Sequence, residues 1–208
     1  MQKSTRVRYY TRSIALYTKN NAALLMFALL FLFGLLCATL AFSILEPEPR
    51  KYITDITQNF VNIRLTAPLK YNFISAVLSA LVFPLILFIC GFCAIAQPLI
   101  ALASFVRGLG TGFSLAALYA HYGTSAMGFG ILYVCTILPV SITIMLCSVE
   151  SMKFSIEALL AMRQRDKAAF YPLSRYIGKY MAFVVFCVLS AAMEAILYVV
   201  FANYVFLG

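Results

Sequence analysis

Two charged side chains stand where the chain can least tolerate them. Arg107 lies in SFVRGLGTGFSL at 104–115, within an apolar run from Pro98 to Tyr119, and Glu194 lies in SAAMEA at 190–195. Each is the only charge in its apolar block. An isolated charge at mid-membrane costs about 2.5–3.5 kcal/mol on insertion scales, so such side chains turn inward and find partners. If the two blocks are entered at Pro98 and Met181, the helical rise puts Arg107 roughly 14 Å deep and Glu194 roughly 20 Å deep. An arginine side chain can bridge that difference. The expectation is an intramembrane ion pair, Arg107 with Glu194, that fixes packing. A proton or solute route and a contact with a partner subunit are the alternatives.

The remaining chemistry-bearing residues are sparse. His121 is the only histidine, set between tyrosines near a helix end in AHYGTS, and reads as an interfacial side chain. Cys90 and Cys93 are spaced C-x-x-C, but within LFICGFCAI they lack the polar surroundings of a zinc or redox site. The glycines of RGLGTG follow no strand and lie at membrane depth, which excludes a dinucleotide fingerprint. No Ser-His-Asp set or metal-ligand spacing is present. The chain is therefore not expected to be an enzyme, and no catalytic, metal or cofactor residue, and no cofactor, is assigned.

These residues are carried by long apolar blocks. Of 208 residues, 63% are hydrophobic and 11% charged, with a mean hydropathy of +0.94. Soluble domains carry about 25% charged residues. Five spans are expected, over about 22–45, 72–94, 98–120, 125–148 and 181–206. The fold class is an all-α polytopic membrane helix bundle forming one domain over 1–208. The first apolar stretch runs about 23 residues against the 7–15 of a signal peptide, so it reads as a retained anchor. Gly34 with Ala38, and Gly108 with Gly112, form small-xxx-small faces for close helix packing. Pro84 and Pro139 sit inside spans and are expected to kink them.

The net charge of +9 raises the question of nucleic acid, but the basic residues cluster just outside apolar blocks. The positive-inside rule accounts for them, and no nucleic-acid partner is expected. Segments 1–21 and 149–179 carry five and six Lys/Arg, against four in the 46–71 loop. That bias places the N-terminus, 1–21, and the segment 149–179 in the cytoplasm, with 46–71 and the C-terminus outside. The uncharged turn between the second and third spans leaves a re-entrant hairpin open as an alternative. In the outer loop, Ile53, Ile56, Phe60 and Ile63 recur on one helical face, which predicts an interfacial helix over 51–66 that contacts lipid or a partner.

The order of features resembles a known family. A basic N-terminus and one span lead to a loop ending near LKYNFISAVLSAL at 69–81. Then come QPLIALASFVRGLGTGFSLAALY at 97–119, a span with Ile137-Leu138-Pro139, and SAAMEA in the last span. This is similar to the stage II sporulation protein M family of endospore-forming bacteria, most strongly over 72–208. The resemblance implies a bacterial cytoplasmic-membrane protein of the engulfment machinery. It implies partners that degrade peptidoglycan, a lytic transglycosylase and an amidase/endopeptidase, and a scaffold role without catalysis. A small permease, or the membrane subunit of a transporter, is the alternative function. No internal repeat supports an inverted-repeat transporter.

Overall fold

The computed structural model describes residues 22–123, 126–164 and 173–207. The basic N-terminus 1–21, the centre of the expected cytoplasmic segment and Gly208 lie outside the described residues. Six helices follow one another among the described residues: α1 (Ala22–Ile44), α2 (Pro47–Thr66), α3 (Leu69–Phe92), α4 (Gln97–Tyr122), α5 (Ala126–Gln164) and α6 (Leu173–Leu207). All but α2 are long and apolar enough to cross a membrane. α4 has 26 residues, long enough for a full span.

The burial pattern is that of a bundle built for lipid. Leu29, Leu40, Leu78, Ile89 and Leu189 are each more than 60% exposed on the outer faces. The interior instead holds Ser104, Thr111, Thr136, Thr143, Ser148, Ser151 and Ser155, all nearly inaccessible. Small and hydroxylated residues let helices approach and bond across a seam where hydrocarbon offers no hydrophobic drive. Many of these hydroxyls are satisfied within their own helix, Thr143 donating to the Pro139 carbonyl and Ser148 to that of Ile144, both at 2.9 Å. Pro84 is fully buried and Pro139 half-buried, each inside a continuous helix.

The closest packing joins α1 to α4. A methyl group on Gly34 would strike the Phe105 carbonyl, and one on Gly108 would strike the Phe31 carbonyl. One on Gly112 would stand 2.6 Å from the Leu35 carbonyl oxygen. The two small-residue faces read from the sequence are thus partners of one another. The obstacles are backbone atoms, which cannot rotate aside.

α2 is fixed at both ends. Pro47 and Pro49 begin the helix, where missing N–H groups cost nothing. Arg50 reaches back to donate to the Phe42 and Ser43 carbonyls at 3.2 and 2.7 Å, placing a cation at the C-terminus of α1. At the other end, the Asn72 amide of α3 donates to the Arg64 carbonyl at 2.6 Å. The face towards α4 and α6 consists of half-buried Ile53 with buried Thr57, Val61 and Arg64. The single apolar face expected from Ile53, Ile56, Phe60 and Ile63 is therefore corrected. Ile53 turns to the bundle, while Ile56, Phe60 and Ile63 remain outside with Tyr52. The chain-neighbour helices do not cover this outer row, so helical periodicity alone could not tell the two apolar edges apart.

α5 and α6 extend beyond the expected spans, to Gln164 and back to Leu173. The expected spans stop at 148 and resume at 181 because 149–179 is polar and basic, including MRQRDK and SRYIGK; its first part holds Glu150, Ser151 and Ser155. These three are buried instead. Ser151 donates to the Leu87 carbonyl at 2.8 Å and hydrogen bonds the Tyr180 hydroxyl. Tyr176 donates to the Phe88 carbonyl at 3.1 Å, close over Gly91, where a methyl group would collide with its phenolic oxygen. Glu150 accepts from Lys179 of α6 at 2.8 Å.

The α1–α4 seam yields a matched test. Gly108→Ala should lower stability by about 1–3 kcal/mol, as overpacking against backbone does. Gly110 has open space at its Cβ position. Gly110→Ala should leave stability unchanged or raise it by about 0.5–1 kcal/mol. Unfolding of the purified protein in detergent measures both, and equal effects would mean that the seam is not closely packed.

Candidate functional site

The charged residues singled out in the spans meet at one place. A cavity of about 90 Å³ lies between α2, α3, α4, α5 and α6, and Arg64, Arg107, Glu194, Tyr133 and Tyr198 all face it. It is large enough to hold water-sized bodies.

Glu194 has a direct partner, but it is Arg64 and not the expected Arg107. The Arg64 Nη1 donates to the Glu194 Oε1 as an ion pair. Only 3% of the Arg64 side chain is exposed. Its guanidinium sits 4.8 Å from the centre of the Phe60 ring and 5.7 Å from that of Tyr198. Arginine suits this place because its planar, weakly hydrated head both stacks on rings and pairs with a carboxylate. α2 is thereby tied to α6 across 130 residues of sequence.

Arg107 borders the same cavity without making an ion pair among the described residues. Its guanidinium lies 5.8 Å from the centre of the Phe83 ring, and its Nε is buried with no hydrogen-bond partner. Glu194 and Tyr133 are within reach of its charge. The expected pair is thus corrected to a cluster of three charges in which the carboxylate is committed to Arg64. The physical reason is α2. Pinned at Arg50 and Asn72, it lowers Arg64 onto the bundle and takes the carboxylate first.

Ala80 of α3 also borders the cavity. Pro84 cannot donate to its carbonyl, so the proline frees a neutral acceptor at this depth. Gly108 and Gly112 lie on the α1 side of α4 and do not line the cavity, nor do Gly34 and Pro139. Of the outer row of α2, Phe60 alone reaches it. Sequence reading missed Arg64 because it stands as one of four basic residues in a polar loop that also holds three acidic ones. A signal was available, since Thr57, Val61 and Arg64 are spaced i, i+4 and i+7 on one face of the helix.

His121 is exposed at the end of α4, its ring edge-on to Tyr122 at 4.6 Å. Cys90 is buried and Cys93 exposed, and neither is in a disulfide. No group of His, Cys, Asp and Glu that could hold a metal ion occurs among the described residues. No protein-family model, curated protein or solved structure matches the chain.

The Arg64–Glu194 pair should show the signature of a buried salt bridge. Glu194→Leu should cost roughly 3–5 kcal/mol, because it leaves Arg64 and Arg107 without a carboxylate, and Arg64→Leu should cost less, because Arg107 stays within reach of Glu194. The double substitution should recover most of that loss. A double-mutant cycle read by unfolding in detergent measures the coupling, and simple additivity would show that the pair contributes nothing.

Proposed function

We propose that the chain is a non-enzymatic membrane scaffold of the stage II sporulation protein M type. It anchors a lytic transglycosylase and an amidase/endopeptidase at the cytoplasmic membrane of an endospore-forming bacterium during engulfment. Two things support the reading: the order of motifs over 72–208, and the build of α2. The second carries it. α2 has one face locked to the bundle, one apolar row suited to lipid, and a polar edge of Lys51, Asp55, Asn59 and Asn62 that stays exposed. A rigidly mounted helix with a free polar edge at the membrane surface serves to hold another protein. The basic bias of 1–21 and 149–179 puts Met1 inside and Gly208 outside, with α2 on the wall side where the hydrolases act.

Affinity purification of the tagged chain from sporulating cells after crosslinking is the direct test. Both hydrolases should be recovered with the wild-type chain. Asn59→Arg with Asn62→Arg should reduce that recovery at least fivefold while membrane insertion is unchanged. Full recovery with the altered edge would remove α2 as the docking element. Reporter fusions at 122, 165 and 208 should read outside, inside and outside, and an inside signal at 208 would overturn the orientation. The charged cavity favours a second reading, a small permease or transporter membrane subunit. Recovery of an ATPase in place of the hydrolases would decide for it.

A further inference from the structure

The cavity at mid-bundle holds more positive than negative charge. Arg64 and Arg107 face it with the single carboxylate of Glu194, and Glu194 is already engaged by Arg64. α3 and α5 bring only neutral side chains to its wall, Tyr133 and Thr136 being the polar ones on α5. The Thr136 hydroxyl donates to the Tyr133 carbonyl at 2.9 Å and supplies no counter-charge. The carbonyl freed at Ala80 is neutral and leaves the charge count as it is. The three charges sum to one net positive, and Arg107 has no ion pair among the described residues, with its Nε buried and unpartnered. Isolated charge in a low-dielectric interior is strongly unfavourable, and water relieves it only in part.

We propose that this cavity is a binding site for a small monovalent anion of halide size, held by Arg107 beside the Arg64–Glu194 pair. The anion brings the local charge to zero. The cavity volume of about 90 Å³ admits a halide with one or two waters. Because α2, α3, α4, α5 and α6 all border it, the bound anion tightens the joint between the outer helix and the span helices. The site follows from the charge count and the volume, and it stands whether or not the chain is a scaffold.

Thermal unfolding in uncharged detergent tests this on the full chain, with sodium chloride or bromide replacing sodium gluconate at constant ionic strength. For the wild type, the midpoint should rise saturably, by about 3–6 °C when the halide is ten times its dissociation constant. Arg107→Gln should abolish the rise, while Arg175→Gln, at an exposed position far from the cavity, should keep it. A wild-type midpoint that does not respond to halide at constant ionic strength means a cavity filled by water only, and it overturns the proposal. So does a rise that survives in Arg107→Gln. If Arg107→Gln does not fold, a bromide anomalous-scattering peak beside Arg107 in wild-type crystals decides in favour, and its absence decides against.

Discussion

The backbone-to-backbone contact of α1 with α4 sets the orientation on which the rest of the bundle depends. Gly34, Gly108 and Gly112 bring the two helices so close that a single methyl group does not fit. A seam of that kind allows one rotational setting. Arg107 precedes Gly108, and successive helical residues point about 100° apart. With Gly108 held against α1, Arg107 is turned away from the seam and into the cavity bordered by α3, α5 and α6. Glycine in mid-helix is unfavourable by roughly 0.5–1 kcal/mol relative to alanine. Here it is offset by contact that no larger residue permits.

The interior is polar in two separate places with different tasks. At mid-bundle three charges and two tyrosines surround a small cavity and bind α2 to α6. At the end opposite α2, Ser151, Tyr176 and Tyr180 tie α5 and α6 to carbonyls of α3 and of α5 itself. Aromatic rings seal this second place, with Phe88 and Phe154 stacked on the two sides of Tyr176 at 5.3 and 4.4 Å. The polar groups at both places are shielded from lipid, as they must be where no water can complete a hydrogen bond.

The five spans were legible because length and hydropathy are local properties of the chain. Their ends were less so. Glu150 and Ser151 look like the start of a wet loop, and only the partners on α6 and α3, Lys179 and the Leu87 carbonyl, make them interior residues. Arg107 and Glu194 were recognisable as charges that needed company, and both do reach one cavity. Their pairing was not legible. It depended on Arg64, a residue of an amphipathic helix whose bundle-facing row mixes Ile53, Thr57 and Val61 and so carries a weak hydrophobic signature. The glycine faces were visible singly, but nothing in the local pattern joined Gly34 to Phe105 or Gly108 to Phe31.

The separation of Arg64 from Glu194 also bears on how the protein is made. The chain emerges from the ribosome at about 5–20 residues per second, so the 130 residues between them take roughly 7–26 s. During that interval α2 has no carboxylate to hold it down, and Arg64 can stay hydrated at the membrane surface. The earlier spans can meanwhile settle, α1 finding its seat as soon as α4 is inserted. The arrival of α6 then brings Glu194 to Arg64, on a helix that Arg50 and Asn72 already hold at its two ends. The last helix to be synthesised is thus the one that pairs with the second, and a nascent chain truncated before Glu194 would leave Arg64 without its carboxylate.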